Sequence, residues 1–106
     1  MAEHGLWCKG LPCFKSSYHV PAAVRWPQGI KNPGREVDEF VSLADFAPTI
    51  LDLAGVSVER EFTGNSLIPF IKDDEVNDWR DAIFTQSNGN ELYGIQRSVM
   101  TEKWKY

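Results

Sequence analysis

Residues 42–55, Ser-Leu-Ala-Asp-Phe-Ala-Pro-Thr-Ile-Leu-Asp-Leu-Ala-Gly, specify their own structure more completely than any other stretch. They predict a helix, with Asp45 as a suitable N-cap. Pro48 falls in the first turn, where backbone N–H groups lack intrahelical partners. Gly55 suits the position just past the helix end. Apolar residues recur at helical spacing and predict one buried face, made of Phe46, Ile50, Leu53 and Ala54.

Short apolar runs before and after this helix predict further elements. Residues 20–26, Val-Pro-Ala-Ala-Val-Arg-Trp, form a continuous apolar run, which is typical of a strand buried on both faces of a parallel sheet. Residues 37–41 are a weaker strand candidate. Residues 66–72 predict a short helix with Pro69 near its first turn. Strands and helices in this alternation indicate an α/β fold.

The last quarter of the chain has a different pattern. Residues 82–86 predict a strand, and Asn88-Gly89-Asn90 is a turn signal. Residues 93–101 alternate loosely, and residues 103–106 begin another strand after a short turn. These segments together predict an antiparallel hairpin at the end of the chain.

Composition limits the size and class of the protein. The 106 residues make one domain at most, and 42% hydrophobic with 25% charged residues is typical of a soluble globular protein. Charge is uneven: residues 1–35 carry a net +4, residues 36–92 a net −10 and residues 93–106 a net +2. No dense Lys/Arg face points to nucleic acid. No apolar run approaches the ~18 residues that cross a membrane.

Cysteines and acidic residues give no metal site. Cys8 and Cys13 are too few for a disulfide framework and lack CxxC spacing, so we interpret both as ordinary buried thiols. Residues 73–78, Asp-Asp-Glu-Val-Asn-Asp, lack the alternating ligands of a calcium loop. Such a run is typical of a solvated surface loop. We therefore assign no metal ligand in this chain.

Lys9 is the strongest candidate for a catalytic residue. It lies in a loop with Gly5, Gly10 and the aromatic residues Trp7 and Phe14. A compact ammonium on a flexible stem suits a tetrahedral anion. Aimed at a sulfate or phosphate ester, it stabilises the negative charge that develops during cleavage. On the residues alone, an ordinary solvent-exposed lysine remains the alternative.

Several motifs, in this order along the chain, resemble those of sulfatases in the alkaline-phosphatase-like superfamily. They are Lys9-Gly10, Tyr18-His19-Val20-Pro21, Ala23-Val24-Arg25-Trp26-Pro27, Pro33-Gly34-Arg35, residues 41–55 and Gly64-Asn65-Ser66-Leu67. Each motif alone is weak, but their order and spacing together are fairly specific. The resemblance covers nearly the whole chain.

The resemblance implies roles for three residues. Lys9 corresponds to the catalytic lysine that contacts the sulfate group, and His4 and His19 are candidates for substrate contact. The implied partner of the intact enzyme is a sulfated small molecule or glycan. In the terminal hairpin, Gln96 and Arg97 are candidates for a pocket wall, although an ordinary surface strand is the stronger expectation.

The resemblance also implies that the nucleophile and the metal ligands lie outside this chain. The family uses a formylglycine nucleophile and a divalent metal, for which we expect calcium, and their residues would lie upstream of this chain. The chain is then a fragment of an alkaline-phosphatase-like sandwich, and it is expected to be inactive alone. Residues 1–72 would end the catalytic domain, and residues 73–106 would start a small antiparallel C-terminal subdomain, truncated at the chain end.

Two other functions stay open on sequence grounds. A phosphonate or phosphate ester hydrolase of the same superfamily is favoured by Tyr18-His19-Val20-Pro21. A small α/β interaction domain without catalysis is the alternative from another class. In that case the chain would fold independently and unfold in one sharp transition.

Overall fold

The computed structural model describes residues 13–88 and 94–106. The elements in these ranges are α1 (Lys15–Tyr18), a 3₁₀ turn (Leu43–Asp45), α2 (Phe46–Leu53), α3 (Ile68–Lys72), β1 (Ala82–Ser87) and β2 (Gln96–Thr101). The described residues form two compact units. One contains the residues up to Ala23 and those from Asp81 onward, and the other is Val24–Arg80.

The helix predicted for residues 42–55 is confirmed, but it begins differently. Ser42 starts a 3₁₀ turn in which its hydroxyl accepts from the Ala44 N–H at 3.3 Å, and its own N–H donates to Asp45 Oδ2 at 2.7 Å. This reciprocal arrangement is a capping box. Asp45 is the N-cap residue of α2, as predicted, but its side chain makes no cap bond to that helix. Its carboxylate instead accepts a hydrogen bond from the Ser42 N–H.

The end of α2 follows the prediction. Gly55 has φ +66°, which costs a glycine little. Its N–H donates to the Asp52 carbonyl at 3.1 Å, and the Val56 N–H donates to the Leu51 carbonyl at 2.9 Å. These two bonds make a Schellman motif, which pairs the carbonyls that the helix end leaves open.

The Asp45 carboxylate lies at the centre of the unit Val24–Arg80. It is 0% exposed, and each of its oxygens accepts two hydrogen bonds. Oδ1 accepts from Arg80 Nη2 at 2.6 Å and from the Asn65 N–H at 2.9 Å. Oδ2 accepts from Arg80 Nη1 at 2.9 Å and from the Ser42 N–H at 2.7 Å. A bidentate guanidinium and two backbone donors satisfy this buried charge.

A second polar contact ties α2 to the segment before α3. The Thr49 hydroxyl donates to the Asp45 carbonyl at 2.5 Å and accepts from the Leu67 N–H at 2.8 Å. Gly64 passes so close to the 3₁₀ turn that a Cβ on it would lie 2.2 Å from the Ala44 oxygen. Such an approach is possible only for glycine.

The predicted buried face of α2 is wrong. Ile50 is 61% exposed and Leu53 is 42% exposed, and Ala54 is exposed as well. Phe46 is half-buried, and the buried residue of the helix is Thr49, at 5%. The polar residues Asp45 and Thr49, one turn apart, are the buried ones at this helix, and Ile50, Leu53 and Ala54 are left exposed.

The short helix predicted for residues 66–72 forms as α3, Ile68–Lys72, with Pro69 in its first turn as expected. Arg35 holds its C-terminal end. The Arg35 guanidinium donates to the Phe70 carbonyl and, at 2.8 Å, to the Asn32 carbonyl, and its Nε lies 3.3 Å from Asp73 Oδ1. A cation at this end of a helix also meets the negative end of its dipole.

Residues 37–41 do not form the predicted strand. The Phe40 carbonyl accepts from the indole N–H of Trp79 at 2.7 Å, so a side chain occupies the acceptor that a neighbouring strand would use. The Trp79 ring meets the Phe70 ring edge-on, with centroids 4.7 Å apart. The Arg80 guanidinium lies 4.8 Å from the Trp79 ring centroid.

Residues 20–26 do not form a strand either, and the prediction of a doubly buried strand is wrong for this chain. Val20 is 52% exposed and Val24 is 47% exposed. A strand needs a neighbour for its backbone groups, whereas this segment passes from one compact unit to the other. Trp26 instead begins a turn, in which its carbonyl accepts from the N–H groups of Gly29 and Ile30, both at 3.1 Å.

The predicted C-terminal hairpin is confirmed. β1 pairs antiparallel with β2, from Ala82 opposite Thr101 to Ser87 opposite Gln96. After a two-residue turn the chain returns along β2, as predicted for residues 103–106: Val99 and Tyr106 exchange two backbone bonds of 3.1 and 2.9 Å. The turn signal at residues 88–90 lies partly outside the described residues.

The described chain is thus a small α/β protein with a two-stranded antiparallel sheet. The antiparallel part of the predicted fold class is present. The alkaline-phosphatase-like sandwich and the boundary between residues 72 and 73 concern a larger protein and stay predictions.

Replacing Arg80 with alanine tests the central ion pair. Arg80→Ala leaves the Asp45 charge buried without its partner, so we expect the free energy of unfolding to fall by about 3–5 kcal/mol. Arg60→Ala is the matched control, because Arg60 is exposed and its contact among the described residues is a cation–π contact with Phe62, at 5.9 Å. Its loss is expected to cost at most about 1 kcal/mol. Urea unfolding followed by tryptophan fluorescence measures both, and equal losses would contradict a central role for the pair.

Candidate functional site

The predicted site residues divide into those that the structure describes and those that it does not. Lys9 and His4 lie outside the described residues, as does Cys8. His19 is described, and so are the candidate pocket residues Gln96 and Arg97. The geometry of the site therefore starts from these three residues.

His19 follows α1 and is exposed. Its backbone N–H donates to the Lys15 carbonyl at 2.8 Å and closes the single helical turn. The preceding Tyr18 is anchored, because its hydroxyl donates to the Gln86 carbonyl at 2.6 Å. This bond fixes the end of α1 against β1 and leaves the His19 imidazole accessible to a ligand.

Gln86 joins the two parts of the candidate site. Its carbonyl accepts from Tyr18, and its side-chain Oε1 accepts from Arg97 Nε at 3.2 Å. Its Nε2 donates to Asn88 Oδ1 at 2.7 Å. Gln86 and Arg97 are direct partners in the β1–β2 register. One residue near the end of β1 thus connects the segment that carries His19 with the Arg97 cation.

An open groove runs beside β2, with a volume of about 630 Å³. Two of its cationic side chains are Arg97 and Lys105, and the Lys105 ammonium donates to the Cys13 carbonyl. The full lining is Cys13, Phe14, Ile95, Gln96, Arg97, Ser98, Lys105 and Tyr106. Gln96 and Arg97 both line this groove, and both are exposed, as expected for a surface strand. Their place in the wall of a substrate pocket stays a prediction.

Cys13 is a buried free thiol, at 9% exposure, as predicted. Sequence reasoning missed the contacts of Gln86 with Tyr18 and Arg97 and the contact of Lys105 with the Cys13 carbonyl. The hairpin register was a usable signal for Gln86, because pairing residues 82–86 with 93–101 places it near Arg97. No local signal connects Lys105 to Cys13, since 92 residues separate them.

The described residues do not fit a metal site. Within residues 13–88 and 94–106, no group of three or more His, Cys, Asp or Glu side chains is placed to hold a metal ion. The acidic loop after α3 pairs with cations instead. Asp73 lies 3.3 Å from Arg35, and Asp74 lies 3.8 Å from Lys31. Both carboxylates are about half exposed, so the loop is a solvated surface as predicted.

No helix in the described ranges has the length and apolar character that crossing a bilayer requires. Taken together, the fold and the groove define a small α/β chain in which one compact unit presents cations at its surface. Comparisons with known proteins place this chain in a family.

A sequence model described as N-sulphoglucosamine sulphohydrolase, C-terminal, matches residues 2–106. The chain therefore belongs to the sulfatase family, a family of sulfuric ester hydrolases, and matches its C-terminal region. The resemblance inferred from the ordered motifs is confirmed. Membership is consistent with the alkaline-phosphatase-like superfamily.

Curated relatives agree with this assignment. The chain is 31% identical over 110 residues to arylsulfatase K of Homo sapiens, which covers 98% of this chain and 20% of the relative. It is 32% identical over 91 residues to an ulvan-active sulfatase of Formosa agariphila, and this match covers 82% of the chain and 18% of the relative. It is 34% identical over 86 residues to an N-acetylglucosamine-6-O-sulfatase of Bacteroides thetaiotaomicron, and this match covers 79% of the chain and 15% of the relative. The chain thus spans about a fifth of these relatives. Neither a phosphonate hydrolase nor an independent interaction domain is favoured.

Proposed function

We propose that this chain is part of a longer enzyme that hydrolyses sulfate esters. The match of residues 2–106 to a sulfatase family model carries the proposal, because it includes Lys9 and every motif of the resemblance. The relatives named above are sulfatases, which supports sulfate rather than phosphonate as the group removed.

Lys9 contacts the sulfate group in this proposal. The sulfate oxygens of the substrate are negatively charged, and charge builds on the leaving oxygen as the S–O bond breaks. An ammonium held at this point lowers the energy of the transition state more than that of the ground state, which is the requirement for catalysis.

His4 and His19 are proposed to contact the remainder of the substrate. The exposure of His19 and the anchoring of Tyr18 beside it support this role. The relatives named for ulvan and for N-acetylglucosamine-6-O-sulfate support a sulfated glycan or a related small molecule as the substrate class.

The divalent metal and the nucleophile belong to other parts of the longer enzyme. The described residues contain no cluster that fits a metal. In this proposal, sequence outside this chain holds the divalent ion, with calcium as our expectation, and the formylglycine, as the sulfatase resemblance implies. The proposal includes that the chain alone does not hydrolyse sulfate esters.

We also propose that the catalytic domain of the longer enzyme ends after α3, between residues 72 and 73. Asp73 ends that helix with φ +62°, a sharp change in backbone direction. Contacts within this chain nevertheless group Val24–Arg80 in one unit. The proposed boundary therefore refers to the intact enzyme.

Replacing Lys9 tests its role directly. In the longer enzyme, Lys9→Ala is expected to lower kcat/KM for 4-nitrophenyl sulfate about 100- to 1,000-fold, the typical effect of losing one donor to a developing oxyanion. Lys15→Ala is the matched control, because it removes the same charge from an exposed position six residues later. It is expected to retain activity within about twofold, as surface changes usually do. Similar losses in both variants would refute a specific contact.

Replacing each histidine tests substrate binding. His4→Ala and His19→Ala are each expected to raise KM about three- to tenfold with kcat little changed, as the loss of one hydrogen bond predicts. His19→Gln keeps a hydrogen-bonding side chain and is expected to recover part of the affinity. A fall in kcat at constant KM would instead assign the residue to the chemical step.

Measurements on the isolated chain test whether the nucleophile and the metal ligands lie outside it. We expect the 106-residue chain to show no turnover of 4-nitrophenyl sulfate and no heat of calcium binding by titration calorimetry. The longer enzyme is the positive control in both measurements. Stoichiometric calcium binding by the isolated chain would show that the metal ligands lie within it.

A further inference from the structure

Tyr18 ends a helical turn that has no buried residue. α1 is a single turn of four residues, and Tyr18 itself is 38% exposed. A helix this short is unstable on its own, because its first turn fixes several backbone dihedrals in return for few hydrogen bonds. Hydrogen bonds to other parts of the fold therefore have a large share in placing this turn.

The Tyr18 hydroxyl makes such a bond to β1, where it donates to the Gln86 carbonyl at 2.6 Å. The register explains why this carbonyl can accept from a side chain. Val99 exchanges both of its backbone bonds with Tyr106, so the N–H and C=O of Val99 face away from β1. Those of Arg97, two residues earlier on β2, do the same. Gln86 is the partner of Arg97, and its carbonyl therefore faces away from β2.

The backbone of His19 is fixed relative to Tyr18. The His19 N–H donates to the Lys15 carbonyl at 2.8 Å, and the Val20 N–H donates to the Tyr18 carbonyl at 3.0 Å. With φ −82° and ψ 82°, His19 is the central residue of an inverse γ-turn. Pro21 also restricts Val20, since a residue before proline is held to extended conformations. The direction in which the His19 side chain leaves the backbone thus follows from the position of Tyr18.

We propose that the Tyr18 hydroxyl positions His19 for substrate binding, so that Tyr18 raises substrate affinity without contacting the substrate. The inference rests on the proposed function, in which His19 is a substrate contact. The hydroxyl ties the tyrosine ring to β1, and the γ-turn that follows sets where the His19 imidazole can reach. An imidazole held in one position loses less conformational freedom on binding, which strengthens the contact.

A double-mutant cycle in the longer enzyme tests the link between the two residues. Tyr18→Phe keeps the ring and removes the hydroxyl. It is expected to raise KM for 4-nitrophenyl sulfate about threefold with kcat little changed, as the loss of one hydrogen bond predicts. In the His19→Ala background the same substitution is expected to change KM no further, because no imidazole is left to position. Equal rises in both backgrounds, or no rise from Tyr18→Phe alone, would overturn the proposal.

Thr85→Val is the matched control for a lost hydroxyl in the same hairpin. The Thr85 hydroxyl lies 2.7 Å from that of Ser98, in a hydrogen bond between β1 and β2. Its removal is expected to lower the stability of the hairpin and to leave KM unchanged. If KM rises as much as in Tyr18→Phe, the effect belongs to hairpin stability in general, and the positioning role is refuted.

Amide hydrogen exchange separates this inference from the proposed function. In the longer enzyme the His19 N–H is expected to exchange about fivefold faster in Tyr18→Phe than in the wild type. The reason is that the turn bonding it to Lys15 opens more often without its anchor. Unchanged exchange would rule out the positioning role whether or not the enzyme hydrolyses sulfate esters. Faster exchange without any turnover by the wild type would instead refute the proposed function, and the role given to His19 with it.

Discussion

The Asp45 carboxylate holds the unit Val24–Arg80 together. It accepts one hydrogen bond from Ser42 at the start of the 3₁₀ turn, one from Asn65 in the following loop and two from Arg80 at the end of the unit. A fully buried charge is tolerated only when such donors surround it. Hydrophobic burial is slight here, since the described apolar residues of this unit below about a tenth exposure are Leu67 and Ile71. The polar network therefore carries an unusual share of the structure.

Local sequence signals predicted several of the secondary-structure elements, whereas contacts between residues far apart in the sequence determine how those elements pack. The end of α2 at Gly55, the position of α3 and the terminal hairpin follow from capping, proline and alternation signals. The buried side of α2 does not, because periodicity places apolar residues on one face without indicating whether anything covers it. The bonds from Asp45 to Asn65 and Arg80 span 20 and 35 residues and leave no periodic trace. The wrong strand prediction for residues 20–26 has the same cause, because an apolar run does not indicate whether a neighbouring strand is present to pair with it.

The sequence predicted family membership better than it predicted packing. Ordered motifs identified the sulfatase family, and the match to residues 2–106 bears this out. The hairpin register was also within reach, and with it the pairing of Gln86 with Arg97. The link from Tyr18 to Gln86 was not, because 68 residues lie between them. The roles of Lys9, His4 and His19 remain predictions about a larger enzyme.

The close approach of Gly64 to the 3₁₀ turn determines how a substitution at this position would act. Any missense change at codon 64 removes no charge and no donor, yet its first side-chain carbon would lie 2.2 Å from the Ala44 oxygen and 2.7 Å from the Asp45 nitrogen. The Asp45 N–H donates to the Ser42 carbonyl at 3.0 Å, so the displaced backbone is the one that positions the buried carboxylate. A substitution at this position would therefore act by lowering the amount of folded protein in the cell.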